Sequence, residues 1–395
     1  MNSNKLFFLI CWLFVFYGCE KRITKIPVLD VTKSYPSKSV ILQDIADVEY
    51  IPLEIKEGFL ISEYVPLQYL DESIFITNGK EEIMIFDRKT GRALHSFNHF
   101  GRGPGEYTGI HSIAVDKEKN EIFTTTNSLS SKIHPINVYD LNGKHLRTLE
   151  FQNIGFPQFF HSYNDEYLFW YNANVKESYP YKLISKTDTS TTYLPIVFDE
   201  RDNMSVIIEV DGGVATYGHG GSAILKTSDG YILSEAGLDT IYHWSSFNGA
   251  LTPVMVRTPS FKSMKVPIGA FISGQCSEYI FLQTIERKYD IKTQTGFKTV
   301  KLVYDKKSGR FYEGAIMNGD FVDAKEVIIS SRPILAGQFI VILQAFELVE
   351  LYSKGKLRGR LEEVASKLSD DDNPVLMVVT FNNKPKNDES PSKNM

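Results

Sequence analysis

Ile83-Met-Ile-Phe-Asp-Arg-Lys-Thr-Gly91 is a short apolar strand that runs into a tight reversal. Its aspartate precedes a glycine by four residues, and glycine accepts the positive φ that such a turn demands, so the stretch is a hairpin signal. The same pattern returns in Ile136-Asn-Val-Tyr-Asp-Leu-Asn-Gly143 and in Leu302-Val-Tyr-Asp-Lys-Lys-Ser-Gly309, with weaker copies at 181–188, 241–248 and 348–355. Ahead of each copy lies a run rich in aromatic and β-branched residues, introduced by a polar turn. The runs are Ser73-Ile-Phe-Ile-Thr77, Glu121-Ile-Phe-Thr-Thr125, Glu166-Tyr-Leu-Phe-Trp170, Gly230-Tyr-Ile-Leu-Ser234, Glu278-Tyr-Ile-Phe-Leu282 and Gln338-Phe-Ile-Val-Ile342. Aligning Phe86, Tyr139, Ile184, His243, Tyr304 and Tyr352 gives steps of 53, 45, 59, 61 and 48 residues. A four-stranded propeller blade takes roughly 40–50 residues, a solenoid repeat fewer, and an immunoglobulin-like unit roughly a hundred. The repeats therefore predict an all-β chain folded as a six-bladed β-propeller.

An open ring would expose a sheet edge, so the two ends of the chain must be accounted for. Val48-Glu-Tyr-Ile-Pro-Leu53 precedes the first full repeat without a partner in it, and Val375-Leu-Met-Val-Val-Thr-Phe381 is the last apolar run. One of these strands is expected to complete a blade begun at the other end. Between the last hairpin and that run, Leu361, Val364, Ala365 and Leu368 fall at helical spacing, which predicts a short amphipathic helix over 357–368. The propeller is thus expected over 40–381, with a flexible tether at 19–39 and a disordered polar tail at 382–395.

Lys5 is the only charge before the uncharged run from Leu6 to Tyr17, which Gly18-Cys19 closes. A basic start, about a dozen apolar residues and a small residue predict a secretory signal over residues 1–18, too short to span a bilayer comfortably. Phe16-Tyr17-Gly18-Cys19 resembles a bacterial lipobox, departing from it at Phe16 and Tyr17. That resemblance implies cleavage before Cys19 and acylation of its thiol, which places the protein in the bacterial envelope, periplasmic or on the outer-membrane surface. The chain holds three cysteines, and Cys11 lies inside the signal. Cys276 is left alone, so no intramolecular disulfide and no cysteine zinc site is expected. Cys276 itself reads as a small buried filler. With 43 basic and 48 acidic residues and no basic stripe, nothing suggests nucleic acid. The aromatic content of 13% favours strands over helices.

Tyr50-Ile-Pro-Leu-Glu54, the Phe100-Gly-Arg-Gly-Pro-Gly-Glu-Tyr107 loop and Asp372-Asn-Pro-Val-Leu376 give the chain a family likeness. In these segments it resembles the Bacteroides-type six-bladed β-propeller lipoproteins. The resemblance implies a TolB-like or NHL-like propeller anchored in the envelope; it does not imply a reaction. The ring is expected to be monomeric.

The glycine-rich loop carries the most distinctive local chemistry. Gly101, Gly103, Pro104 and Gly105 fix a sharp turn, from which Arg102 is able to offer a fork to a carboxylate or sulfate and Tyr107 a stacking face. The alternative is that Arg102 and Glu106 pair with each other or with neighbouring blades and only fix the crossing. The loop lacks the strand-to-helix setting and the Gly-Lys-Ser/Thr ending of a nucleotide-binding fingerprint. His111 and His219 occupy similar positions at the start of presumed inner strands, and His161 lies just before the equivalent turn. Convergence of these imidazoles on the axis would suit a metal or acid–base chemistry; ordinary strand-end histidines are the plainer alternative. Two functions follow. One is a rigid propeller face that binds a protein, peptide or glycan, with no cofactor; the other is a propeller enzyme, a lactonase-like hydrolase or polysaccharide lyase, using an axial calcium or histidine site. The sequence supplies no ordered catalytic set, and the binding role is the expectation.

Overall fold

The computed structural model describes residues 25–61, 67–69, 72–78, 81–126, 132–198, 201–210, 213–218, 224–329 and 336–382. The fold is an all-β propeller with few helices. Its strands form seven sheets of three or more strands, numbered here as blades in chain order. Blade one comprises Leu67–Tyr69, Ser73–Thr77, Glu82–Asp87 and Ala93–Asn98. Blade two is Ile110–Asp116, Glu121–Thr126, Ile133–Asp140 and His145–Gln152. Blade three is Phe159–Ser162, Tyr167–Tyr171, Tyr181–Ser185 and Thr191–Tyr193. Blade four is Ile224–Thr227, Gly230–Leu233, Thr240–Ser245 and Leu251–Thr258, with Val28–Asp30 added at its edge. Blade five is Ile268–Gln275, Tyr279–Glu286, Thr299–Asp305 and Arg310–Glu313. Blade six is small: Val40–Ile41, Ile316–Asn318 and Lys325–Glu326. Blade seven joins Gln338–Leu343 and Val375–Phe381 to Ala46–Pro52.

The expected count of six is therefore corrected to seven. Each expected repeat supplies one of the larger sheets. Blade six escapes a repeat count because its strands are two or three residues long and come from two distant parts of the chain.

The repeat runs are apolar at nearly every position because blades stack face to face, which buries both sides of a central strand. Ser73–Thr77, Tyr167–Tyr171 and Gly230–Leu233 are buried almost throughout. The resulting core is a series of layers between blades. In one of them Phe123 and Val138 of blade two pack with Leu168, Trp170 and Ile184 of blade three. Buried charge pins the same layer. The Lys186 ammonium, 1% exposed, donates to the Asp116 carboxylate at 2.6 Å, to Ser162 Oγ at 2.9 Å and to the Asn164 carbonyl.

Ring closure follows the expectation. Ala46–Pro52 pairs antiparallel with Val375–Phe381 along its whole length, from Ala46 opposite Phe381 to Pro52 opposite Val375. Arg88 then grips Glu49 with both guanidinium arms at 3.1 and 2.8 Å, coupling blade one to the closing strand. Asn373 reinforces the seam by donating to the carbonyls of Glu54 and Phe59 at 2.8 and 2.6 Å.

Two expectations fail near the ends. The tether predicted over 19–39 is not what residues 25–39 form. Val28–Asp30 runs parallel to Leu251–Thr258, and Lys38 holds Asp305 at 2.8 Å. Residues 19–24, including the lipidation candidate Cys19, lie outside the described residues, as do 383–395 of the predicted tail. The hairpin read at 348–355 is instead part of a helix, Ala345–Ser353. Ala345, Leu348 and Leu351 recur every three residues, a helical spacing; Ala345 and Leu348 are buried, and Leu351 is partly buried against the core. The predicted helix exists as Gly359–Ala365, with Leu361 and Ala365 buried. The long repeat steps are explained by two extra hairpins, Ser205–Val210 with Gly213–Gly218, and Tyr289–Asp290 with Thr295–Gly296. They meet through Tyr217 and Tyr289, whose rings stack at 4.1 Å.

Candidate ligand cleft and surface loop

The glycine-rich loop enters the layer between blades one and two and is anchored there by backbone contacts. Tyr139 donates its hydroxyl to the Gly105 carbonyl at 2.8 Å, and Asn137 donates to the Glu106 carbonyl at 2.9 Å. Tyr107 donates to the Glu81 carbonyl at 2.5 Å and accepts from the His99 amide at 3.1 Å. Only 1% of Tyr107 is exposed, so its ring is core and not a stacking face. Gly105 has φ +75°, and a Cβ there would stand 2.6 Å from the His145 ring. Gly103 is not among the positive-φ residues. Its amide donates to the Glu106 carboxylate at 2.6 Å, and a Cβ on Gly101 would strike that carboxylate at 2.0 Å.

Glu106 is thus committed to the loop backbone, and the Arg102–Glu106 pair weighed above does not form. Arg102 and Pro104 stand exposed at the tip, and Arg102 makes no hydrogen bond or ion pair among the described residues. Arg102→Ala is therefore expected to change stability by less than about 0.5 kcal/mol, as surface substitutions usually do. Gly105→Ala must bear both left-handed strain and overpacking, together about 2–4 kcal/mol. Thermal melts of the two variants check this division. A fall for Arg102→Ala as large as that for Gly105→Ala would contradict it.

The histidines are placed separately. His111, on the first strand of blade two, has Nε2 3.0 Å from the Pro157 carbonyl and its ring 4.2 Å from that of Phe156. His161 is buried, with Nε2 2.7 Å from the Tyr231 hydroxyl and Nδ1 without a hydrogen-bond partner. His219 lies outside the described residues. The two placed rings are held by different partners, and among the described residues no group of three or more His, Cys, Asp or Glu is arranged to hold a metal ion.

Burial, helped by Lys226 and Lys186, holds the His161 pKa well below the ordinary imidazole value. Burial also lowers that of His134. A base with a depressed native pKa binds its proton more readily in the unfolded chain. Stability is accordingly expected to fall as pH drops below about 6.5, by at most about 1.4 kcal/mol per pH unit for each such histidine. Urea midpoints between pH 7 and 5 read the slope, and His161→Gln should flatten it. A profile that His161→Gln leaves unaltered would refute the assignment.

A cleft of about 470 Å³ opens among blades four, five and seven. Its rim uses the turns just before Gly230–Leu233, Tyr279–Glu286 and Gln338–Leu343, so it lies at one common end of the repeat strands. Hydroxyls of Thr227, Ser228, Ser273 and Ser277 and the amides of Gln275 and Gln338 line it. Phe339 and Phe381, both buried, form apolar floor. His243 sits at the rim, its Nε2 3.1 Å from the Asp229 carboxylate and 3.2 Å from Thr227 Oγ1. Lys306 donates to the Cys276 carbonyl at 2.7 Å. Burial pushes the Cys276 thiol pKa up, which disfavours thiolate and fits the role of a buried filler. The lining was missed in the sequence because its residues are scattered across three repeats. The one local signal was a lysine in each of two repeat turns or strands, Lys226 in Ile224-Leu-Lys-Thr227 and Lys306 in Asp305-Lys-Lys-Ser-Gly309.

Residues 26–380 match the model of a family described as a domain of unknown function, DUF4934. No curated protein matches the chain. Among solved structures the chain is similar to a candidate exported protein from Bacteroides fragilis. The two are 14% identical with a TM-score of 0.61, over 91% of this chain and all of that one, a likeness of fold. A member of the DUF4221 family from Bacteroides vulgatus is 10% identical with a TM-score of 0.42, over 87% of this chain and all of that one.

Proposed function

Because the chain belongs to the DUF4934 family, whose function is unknown, we propose a role from its own geometry: it is an exported, lipid-anchored envelope propeller that binds a glycan in the cleft among blades four, five and seven. The observation that carries this reading is the lining of that cleft. Its volume of about 470 Å³ falls in the range of small-ligand sites, roughly 300–1,000 Å³. Hydroxyls and amides spread around the cleft match a sugar ring, which presents hydroxyls at its edge. A peptide that added a strand would instead need an open sheet edge. Export is supported by the apolar segment before Gly18-Cys19 and by the description of the Bacteroides fragilis relative in fold.

The test is calorimetric titration of the mature chain with neutral and acidic oligosaccharides, beside a Ser277→Trp variant that fills the cleft. Binding to the unaltered chain that is lost in the variant is the expected result; binding that survives the tryptophan would place the site elsewhere. Chromatography of the recovered sugar tells binding from cleavage. For the anchor, Cys19→Ser should move the protein from the membrane to the soluble fraction, since stable attachment needs more than one acyl chain. Retention of that variant on salt-washed membranes would sink the anchor.

Arg102, exposed on its anchored loop and without a hydrogen bond or ion pair among the described residues, favours a second contact, with an acidic protein surface. It predicts that Arg102→Ala loses a partner captured from envelope extracts while keeping sugar binding.

A further inference from the structure

We propose that the glycan held by the cleft is an acidic one, a uronic-acid sugar whose carboxylate is taken by Lys306; this rests on the glycan reading above. Lys306 lines the cleft and uses one of its three N–H donors, on the Cys276 carbonyl. No carboxylate pairs with it among the described residues. Lys226, which also lines the cleft, makes neither a hydrogen bond nor an ion pair there. The one acid in the lining, Asp229, already faces His243. Neither lysine therefore has an ion-pair partner among the described residues, although the lining also holds the Asp229 carboxylate. Burial lowers the pKa of both, which is the cost of that arrangement.

A partly desolvated ammonium with unused donors is satisfied by an anion that brings oxygen acceptors, and a carboxylate does so with charge-assisted bonds. The neutral hydroxyls and amides around Lys306 then hold the rest of the ring. Lys226 lies opposite Tyr231 in the strand pairing, on the side of the sheet that faces His161. Lys306 is accordingly the direct contact, and Lys226 contributes longer-range attraction.

The experiment titrates the unaltered mature chain with an oligogalacturonate and with the same oligosaccharide after reduction of its carboxyl groups. The acidic form is expected to bind about tenfold tighter or more. Lys306→Gln should remove that preference by weakening the acidic form about tenfold or more; its melting curve shows whether it is folded. Equal affinity for the two sugars overturns the role of Lys306 and leaves the glycan reading standing. Binding of neither sugar, or of a polyglutamate peptide in their place, overturns both.

Discussion

Removal of residues 373–395 is expected to leave no folded ring, whereas removal of 383–395 alone should be nearly silent. Val375–Phe381 is the middle strand of blade seven, hydrogen-bonded to Gln338–Leu343 on one side and to Ala46–Pro52 on the other. Six of its seven side chains are buried. At about 1.5–3 kcal/mol for each large apolar side chain, their burial alone is of the same order as the whole stability of a domain, about 5–15 kcal/mol. Without this strand the N-terminal strand Ala46–Pro52 has nothing to pair with, and Gln338–Leu343 offers an open edge. Loss of Asn373 also frees the seam at Glu54 and Phe59. Gel filtration and thermal melting of the two truncations provide the comparison. A soluble monomer that lacks 373–395 and still melts cooperatively would contradict the closure.

The largest single-residue effect is expected at Asp116. Its carboxylate is the only acid on the buried Lys186 ammonium among the described residues, and both side chains are almost wholly enclosed. Burial drives the Lys186 pKa down, and Asp116 works against that shift. Asp116→Ala leaves a charge with nothing but a hydroxyl and a carbonyl, and breaking a buried pair in this way costs about 3–5 kcal/mol. Replacing both partners, as Asp116→Ala with Lys186→Met, should recover much of the loss, because the uncompensated charge is gone. Urea unfolding of the two variants reads the difference. If the single variant were as stable as the double, the pair would not be holding blades two and three together.

The sequence was most legible where the physics is local and repeated. Apolar runs such as Tyr167–Tyr171 declare a strand buried on both faces, and Asp305 before Gly309 declares a hairpin. The terminal strands Val48-to-Leu53 and Val375-to-Phe381 declare that one of them completes a blade begun at the other end, and the structure pairs them with each other. Short strands with distant partners were not legible: Val40–Ile41 finds Ile316–Met317 across the whole chain, and nothing in two residues announces it. Over Ala345–Ser353 the repeat favours a degenerate hairpin, but the threefold apolar spacing is helical and the helix wins.

The site was less legible than the fold. The loop motif marks Arg102 as distinctive, but its exposure goes with Glu106 turning back to the Gly103 amide, which no spacing rule reveals. Tyr107 carried the same motif and proved to be core. The cleft gathers Ser228, Ser277 and Gln338 from turns about 50 or 60 residues apart, so it exists only after blades four, five and seven are side by side.

The most direct measurement is a structure of the mature chain with an oligogalacturonate bound. The sugar is expected in the cleft beside Ser277 and Gln338, with a carboxylate oxygen within hydrogen-bond reach of Lys306 Nζ. A sugar found at the Arg102 tip, or nowhere at a concentration that saturates binding in solution, would contradict it.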